Sequence, residues 1–409
     1  MNNKFLGLEN GSISSPAGFK AAGVTAGFKK SGAADCAMIY SELPCNAAGA
    51  FTSCVFAAAP VRVCQEQLAK HNAVHACFIN SGNANACTGE NGMANARKTC
   101  KMVAEALNIS ADSVLVSSTG RIGVQMPMDV VQKGVTLSAA ALSSDGGVDA
   151  SKAIMTTDTV NKSVALELEL PGGKVRIGAM TKGAGMIDPS MKVLHATMLC
   201  YITTDAEVQS ADLQKVMDKG IENSFNRITI DGDMSTNDTT VLLANGASGV
   251  KIEYGTEAFE IFTEAVTQVM QSLARKMVVD GEGATKFVEI KIANAKNYDD
   301  AKKLAEAVAN SLLCKTAWFG CDPNWGRVVA ALGYAKVDFN PDLVNIFYDG
   351  IPVVRNGGDA GTPEEDLAGV MHQREFTILC DMNAGDVDYW VWTSDVSYEY
   401  VKINADYHT

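Results

Sequence analysis

Apolar residues recur every three or four positions through residues 92–107, and Met93, Ala96, Cys100, Val103 and Leu107 fall on one face of a predicted amphipathic helix. The same period predicts a helix capped by Ser210, with Leu213, Val216, Met217 and Ile221 inward. A longer helix carries Phe259, Phe262, Val266, Val269, Leu273 and Met277. A fourth starts at Asn297 and turns Leu304, Val308 and Leu312 to the core. Through residues 164–170 the period falls to two: Val164, Leu166, Leu168 and Leu170 share one side, Glu167 and Glu169 the other. The turn Pro171-Gly-Gly-Lys174 and a strand at 175–179 complete a hairpin. Further strands are predicted at 36–40, 49–56, 76–79, 198–203, 344–348, 376–381 and 389–392. The elements do not alternate as a βαβ series, so the predicted class is α+β, built in packed layers.

Composition narrows the function. The chain has 409 residues, 47% apolar and 20% charged, which suits more than one domain around a large core. A net charge of −13 without any Lys/Arg-rich run argues against nucleic acid or an anionic membrane as partner. The N-terminus resembles neither a signal nor a transit peptide. No apolar run approaches the roughly 20 residues of a spanning helix. A soluble, cytoplasmic protein is expected. The 11 cysteines are scattered without a C-x-x-C pair, which points to small buried hydrophobes rather than disulfides or a zinc site. His71 and His75 would share a face if helical, but no third ligand lies nearby in sequence, and surface histidines are the commoner explanation.

The most unusual segment is Met180-Thr-Lys-Gly-Ala-Gly-Met-Ile-Asp-Pro189, followed by His195-Ala-Thr-Met-Leu-Cys-Tyr-Ile-Thr-Thr-Asp205. Here a lysine in a glycine-rich loop precedes a small-residue junction, Ala196-Thr197, at the mouth of a strand. On spacing alone the commoner reading is an ordinary turn opening a strand. The G-K-[ST] ending of a phosphate loop is missing.

The segment resembles the signature of the ornithine acetyltransferase family, approximately K-G-x-G-M-I-x-P-x-M-A-T-M-L followed by T-T-D-A. The resemblance continues in order through Gly18-Phe19, Asn80-Ser-Gly-Asn-Ala-Asn-Ala-Cys-Thr-Gly89, Ser118-Thr-Gly120 and Ile154-Met-Thr-Thr-Asp-Thr159. It extends through Asp231-Gly-Asp233, Asp280-Gly-Glu-Gly-Ala-Thr-Lys286, Asp322-Pro-Asn-Trp-Gly-Arg327 and the final Ile403-Asn-Ala-Asp-Tyr-His-Thr409. Two features depart from the pattern: the extra residues Lys192-Val-Leu-His195 before Ala196, and histidine at 408 where the family has arginine.

The resemblance implies an αββα-layered, N-terminal-nucleophile-like domain of the DmpA and ornithine acetyltransferase type over residues 1–285. A second, smaller α/β domain would follow at 286–409, its C-terminal tail returning to the site. It implies self-cleavage between Ala196 and Thr197, giving an α chain (1–196) and a β chain (197–409) that stay together as an α2β2 assembly. Thr197 would be the nucleophile, first on its own backbone and then on substrate. Its freed α-amine, with an ordinary pKa of about 7.7–8.0, would serve as base. Thr119 and Gly120 would form the oxyanion hole. Thr156, Lys182, Thr197, Glu282, Asn404 and Thr409 would bind substrate, a set suited to an amino acid, with Lys182 for a carboxylate and Glu282 for an ammonium.

The implied reaction moves acetyl from N-acetylornithine to glutamate through acetyl-Thr197, in arginine biosynthesis, without metal or organic cofactor. Acetyl-CoA as a second donor stays open, as does a specialised pathway. A related amidase or aminopeptidase, or an uncleaved binding protein, are the alternatives.

Overall fold

The computed structural model describes residues 5–70, 73–188 and 198–406. By internal contacts the chain divides into two units: one runs up to Asn226 and includes Met234–Met277, the other holds Arg227–Asp233 and the chain from Val278 onward.

In the first unit the strand Cys36–Phe51 runs for 16 residues and serves two layers. Its first half, Cys36 to Ser41, pairs with Phe19–Val24 and Val74–Asn83, and the latter continues in parallel to Val114–Arg121. Its second half, Asn46 to Phe51, pairs with Thr239–Ala244. That strand leads through Leu199–Thr204 and Gly173–Lys182 to Lys162–Leu170 and Phe5–Gly7. A register shift between Tyr40 and Cys45 marks the crossing between layers.

Strict alternation places the core. Ala37, Ile39, Cys77, Ile79 and Leu115 meet Met180, Leu199, Tyr201, Val241 and Leu243 between the sheets. Their neighbours Cys36, Met38, Ala76, Phe78, Val114 and Val116 face the other way, onto helix residues Val63, Ala96, Cys100, Val103, Val131 and Val135. The helix Ser210–Glu222 packs on the strand Cys36–Phe51. Glu257–Val279 lies beside that helix, and its Gln271 donates to Asn223 O at 2.8 Å. The order is helix, sheet, sheet, helix: the αββα layering that the resemblance implied, within the α+β class read from the sequence pattern.

The predicted helix at 92–107 is Gly89–Leu107, with Ala96, Cys100 and Val103 buried. Three expectations are corrected. Ser210 is the first helical residue rather than the cap, and its Oγ accepts from Ala47 N at 3.3 Å. The strand expected at 49–56 stops at Phe51, because Thr52 Oγ1 turns to donate to Ser235 O at 2.6 Å. His75 sits in the strand Val74–Asn83, its Nδ1 3.1 Å from Ser41 O, so no helix face joins it to His71, which lies outside the described residues.

The second unit is a seven-stranded mixed sheet. At its centre Phe287–Ala295 pairs in parallel with Glu375–Asp381 and antiparallel with Val387–Ser394. One face, with Val288, Ile290, Ile378 and Cys380, packs under the helices Tyr298–Ala309, Trp325–Gly333 and Glu364–Met371. Asn297 caps the first of these, accepting from Asp300 N at 2.9 Å. Leu312 is not part of that face. Ser311 accepts from Cys314 N and starts a separate helix, Leu312–Phe319, which resets the phase and leaves Leu312 63% exposed. No helix among the described residues is long and apolar enough to cross a membrane.

Candidate active site

Parallel strands that end side by side leave their last backbone groups facing open space, which is where such sheets place ligands. Val74–Asn83 and Val114–Arg121 end in register, Ser81 opposite Thr119 and Gly82 opposite Gly120. Gly120 has φ +125°, and a Cβ there would lie 2.5 Å from the Gly82 carbonyl carbon, so only glycine fits. Buried amides fix this turn from behind. Ser118 Oγ donates to Asn80 Oδ1 at 2.6 Å, and Asn80 Nδ2 to Asn83 O at 2.8 Å. Asn237 Nδ2 reaches both Ala84 O and Ser118 O. The asparagine-rich motif is thus the frame of the Thr119-Gly120 turn.

Lys182, the last residue of Gly173–Lys182, is buried and donates from Nζ to Thr119 Oγ1 at 3.1 Å. Two members of the candidate set, far apart in sequence, therefore touch. A hydroxyl that accepts from an ammonium keeps its own proton to donate elsewhere. Opposite Lys182 in the ladder is Leu199, two residues after Thr197 in the sequence.

Asp158, which the sequence reading passed over, ties this arrangement together. Its Oδ1 accepts from Lys162 Nζ at 2.6 Å and from Gly183 N at 2.8 Å, and its Oδ2 from Thr156 N at 3.0 Å. Both side chains of the Asp158–Lys162 pair are fully buried. Burial alone would raise the Asp158 pKa, but Lys162, Lys182 and the Gly183 N–H outweigh it and hold the carboxyl below its usual range. One carboxylate so positions Thr156 and the glycine loop after Lys182.

In the second unit Glu282 is buried, and Asn404 Nδ2 donates to its Oε2 at 2.7 Å. Ala196, Thr197, the extra residues 192–195 and Thr409 lie outside the described residues. A cavity of about 340 Å³ bounded by Phe56, Arg62, Cys87 and Glu90 holds none of the candidate residues. Eight of the 11 cysteines are buried. Burial pushes the Cys45 and Cys100 thiols up to about 12, which suits packing rather than nucleophilic attack.

A lysine-braced hydroxyl beside a glycine turn can meet a developing oxyanion, which is chemistry that acyl-transfer enzymes use. The model of the ArgJ family matches residues 20–409. The arginine biosynthesis bifunctional protein ArgJ of Symbiobacterium thermophilum is 45% identical over 402 residues, covering 98% of this chain and 99% of its own. The glutamate N-acetyltransferase of Methanocaldococcus jannaschii is 44% identical over 409 residues, with the same coverage, 98% and 99%. Among solved structures, the ornithine acetyltransferase of Mycobacterium tuberculosis, complexed with ornithine, is 42% identical. That match covers 46% of this chain and 99% of the other, with a TM-score of 0.43. The chain belongs to the ArgJ family.

Proposed function

We propose that this chain moves the acetyl group of N-acetylornithine to glutamate, in arginine biosynthesis, by way of an acetyl ester on Thr197. The observation that carries the reading is the 3.1 Å contact between Lys182 Nζ and Thr119 Oγ1, at the ladder position where the chain returns from Thr197.

Threonine is a weak nucleophile without a base beside it. The precursor makes its own base. Thr197 Oγ attacks the Ala196 carbonyl, the acyl group shifts from nitrogen to oxygen, and water hydrolyses the ester. An Ala196 carboxylate and a free Thr197 α-amine result. That amine, with an ordinary pKa of about 7.7–8.0, takes the hydroxyl proton as Oγ attacks the acetyl carbonyl. The oxyanion is met by the Thr119 hydroxyl and the Gly120 N–H, the amine of ornithine departs with the proton, and the amine of glutamate then attacks the ester. Lys182 holds a substrate carboxylate and Glu282 an ammonium. Thr156, Asn404 and Thr409 orient the ligand. The α chain (1–196) and β chain (197–409) remain together as α2β2, without metal or organic cofactor.

Mass spectrometry of the purified protein tests the first step: two chains are expected, the second beginning with Thr197. A single intact chain with full activity would sink the proposal. Release of free acetate in place of N-acetylglutamate would instead identify an amidase.

Thr119→Ala is expected to lower kcat about 10²–10³-fold while changing KM little, since an oxyanion donor acts only on the transition state. Steady-state kinetics decide this, and a rise in KM at constant kcat would move Thr119 to substrate binding.

A further inference from the structure

The helix Tyr398–Asp406 carries Asn404, yet it buries none of its 9 residues. A helix this short is not stable in water on its own propensity, and the edge contact of Tyr398 with Phe319 at 5.3 Å still leaves Tyr398 84% exposed. Polar ties must therefore place it, and they lie in one run. Asp395, 2% exposed, accepts on Oδ1 from Thr285 N at 2.8 Å and Lys286 N at 2.9 Å, and on Oδ2 from the Thr285 hydroxyl. Ser397 Oγ donates to Gly283 O at 2.7 Å and accepts from Tyr400 N at 3.3 Å, capping the helix and joining it to the loop at once. Tyr400 OH donates to Asp231 Oδ2 at 3.2 Å, and the Tyr400 carbonyl accepts from Asn404 Nδ2 at 3.0 Å. Burial and the neighbouring Asp231 push the Tyr400 phenol up, so it keeps its proton for this bond.

Gly283 shows how closely the two pieces fit. Its φ is +66°, and a Cβ would lie 2.7 Å from both Ser397 Oγ and Tyr400 N. At the end of the run Asn404 Nδ2 donates to Glu282 Oε2 at 2.7 Å, while Glu282 Oε1 has no hydrogen-bond partner among the described residues. One carboxylate oxygen is held and the other is left for a ligand.

We propose that the segment from Asp395 to Tyr400 is a clasp that sets Asn404 against Glu282, with Ser397 and Tyr400 as positioning residues for amine binding by Glu282. The inference rests on the reading of Glu282 as the ammonium site. It predicts a binding defect rather than a chemical one. Ser397→Ala should raise KM for N-acetylornithine, whose one free amine is the side-chain ammonium, about tenfold, the effect of one lost hydrogen bond on a held group, with kcat within about twofold of wild type. Ser397→Thr restores the hydroxyl and should restore KM. Tyr400→Phe, which keeps the cap, should show the same split more weakly and serves if Ser397→Ala does not fold. Hydrogen exchange at residues 398–406 should quicken in both variants. Faster exchange with unchanged KM would show a clasp that does not serve the site, and unchanged exchange would show no clasp; either result overturns the inference, as would a fall in kcat at constant KM. Wild-type enzyme run alongside keeps the two readings apart. If it transfers no acetyl, the proposed function fails by itself while exchange still decides the clasp.

Discussion

Alanine at position 197 is expected to lower acetyl transfer by about four orders of magnitude or more and to leave the chain in one piece, because hydroxyl and amine belong to one residue. Beside the ladder position that follows Thr197 stand Lys182, a donor, and Thr119, whose hydroxyl is already engaged by it. The described cysteines of this core, such as Cys77 and Cys200, are buried with thiols pushed up by burial. Thr197→Ser keeps an attacking oxygen and should retain part of both activities. A denaturing gel and an acetyl-transfer assay on the same preparations read both steps. Normal transfer by the alanine variant would require another nucleophile.

The second large effect is expected at Asp158. Removing its carboxylate with Asp158→Ala leaves the buried Lys162 ammonium without the carboxylate that balances its charge, which costs about 3–5 kcal/mol. It also strands the amides of Thr156 and Gly183. Replacing both partners, Asp158→Leu with Lys162→Met, removes the uncompensated charge and should recover most of the stability. It should not recover activity, because Thr156 and the loop after Lys182 remain without their common acceptor. Urea unfolding with a kinetic assay of each variant separates these outcomes, and a double variant as active as wild type would deny Asp158 its positioning role.

The pH dependence follows from the depressed pKa of Asp158. The folded value lies below the unfolded one of about 3.9, so the contribution is present above that pH and lost as pH falls through the folded value. The stability gap between wild type and Asp158→Ala should therefore narrow below about pH 4, where the carboxyl is protonated in the unfolded chain.

Long apolar periods were legible in the sequence. Helix Glu257–Val279 buries Phe262, Val266, Val269 and Leu273 as the spacing predicts. Helix Gly147–Ala153 was not legible, since its buried face is Gly147, Ala150, Ser151 and Ala153 and carries no large apolar residue. It exists because small residues allow close approach: a Cβ on Gly23 would sit 2.0 Å from Asp149 O. The bent strand Cys36–Phe51 was split in two for a related reason. Leu43 and Pro44 at the crossing are exposed, and the apolar run breaks where the strand changes sheets.

At the site, Thr119, Gly120 and Lys182 came from a resemblance between whole motifs rather than from spacing. Asp158 lay inside a matching motif but was given no role, and Lys162 drew no notice, because acid and lysine four apart usually mark a solvated surface, whereas here both are buried. The bond between Ser397 and Gly283 could not be read there either, since it joins residues 114 positions apart.

The strand that serves both sheets also sets a clock for synthesis. Its second half cannot be completed until Thr239–Ala244 has left the ribosome, and the bond from Thr52 to Ser235 alone spans 183 residues. At 5–20 residues per second that is a wait of roughly 10–35 s. Leu199–Thr204 likewise gains its second partner strand only once Thr239–Ala244 lies along it. A junction at Thr197 would thus meet its completed surroundings only after the nascent chain has extended well beyond it. By then Gly173–Lys182 and Leu199–Thr204 are laced together from Ile177–Thr204 to Lys182–Leu199, so a break between them would separate no halves.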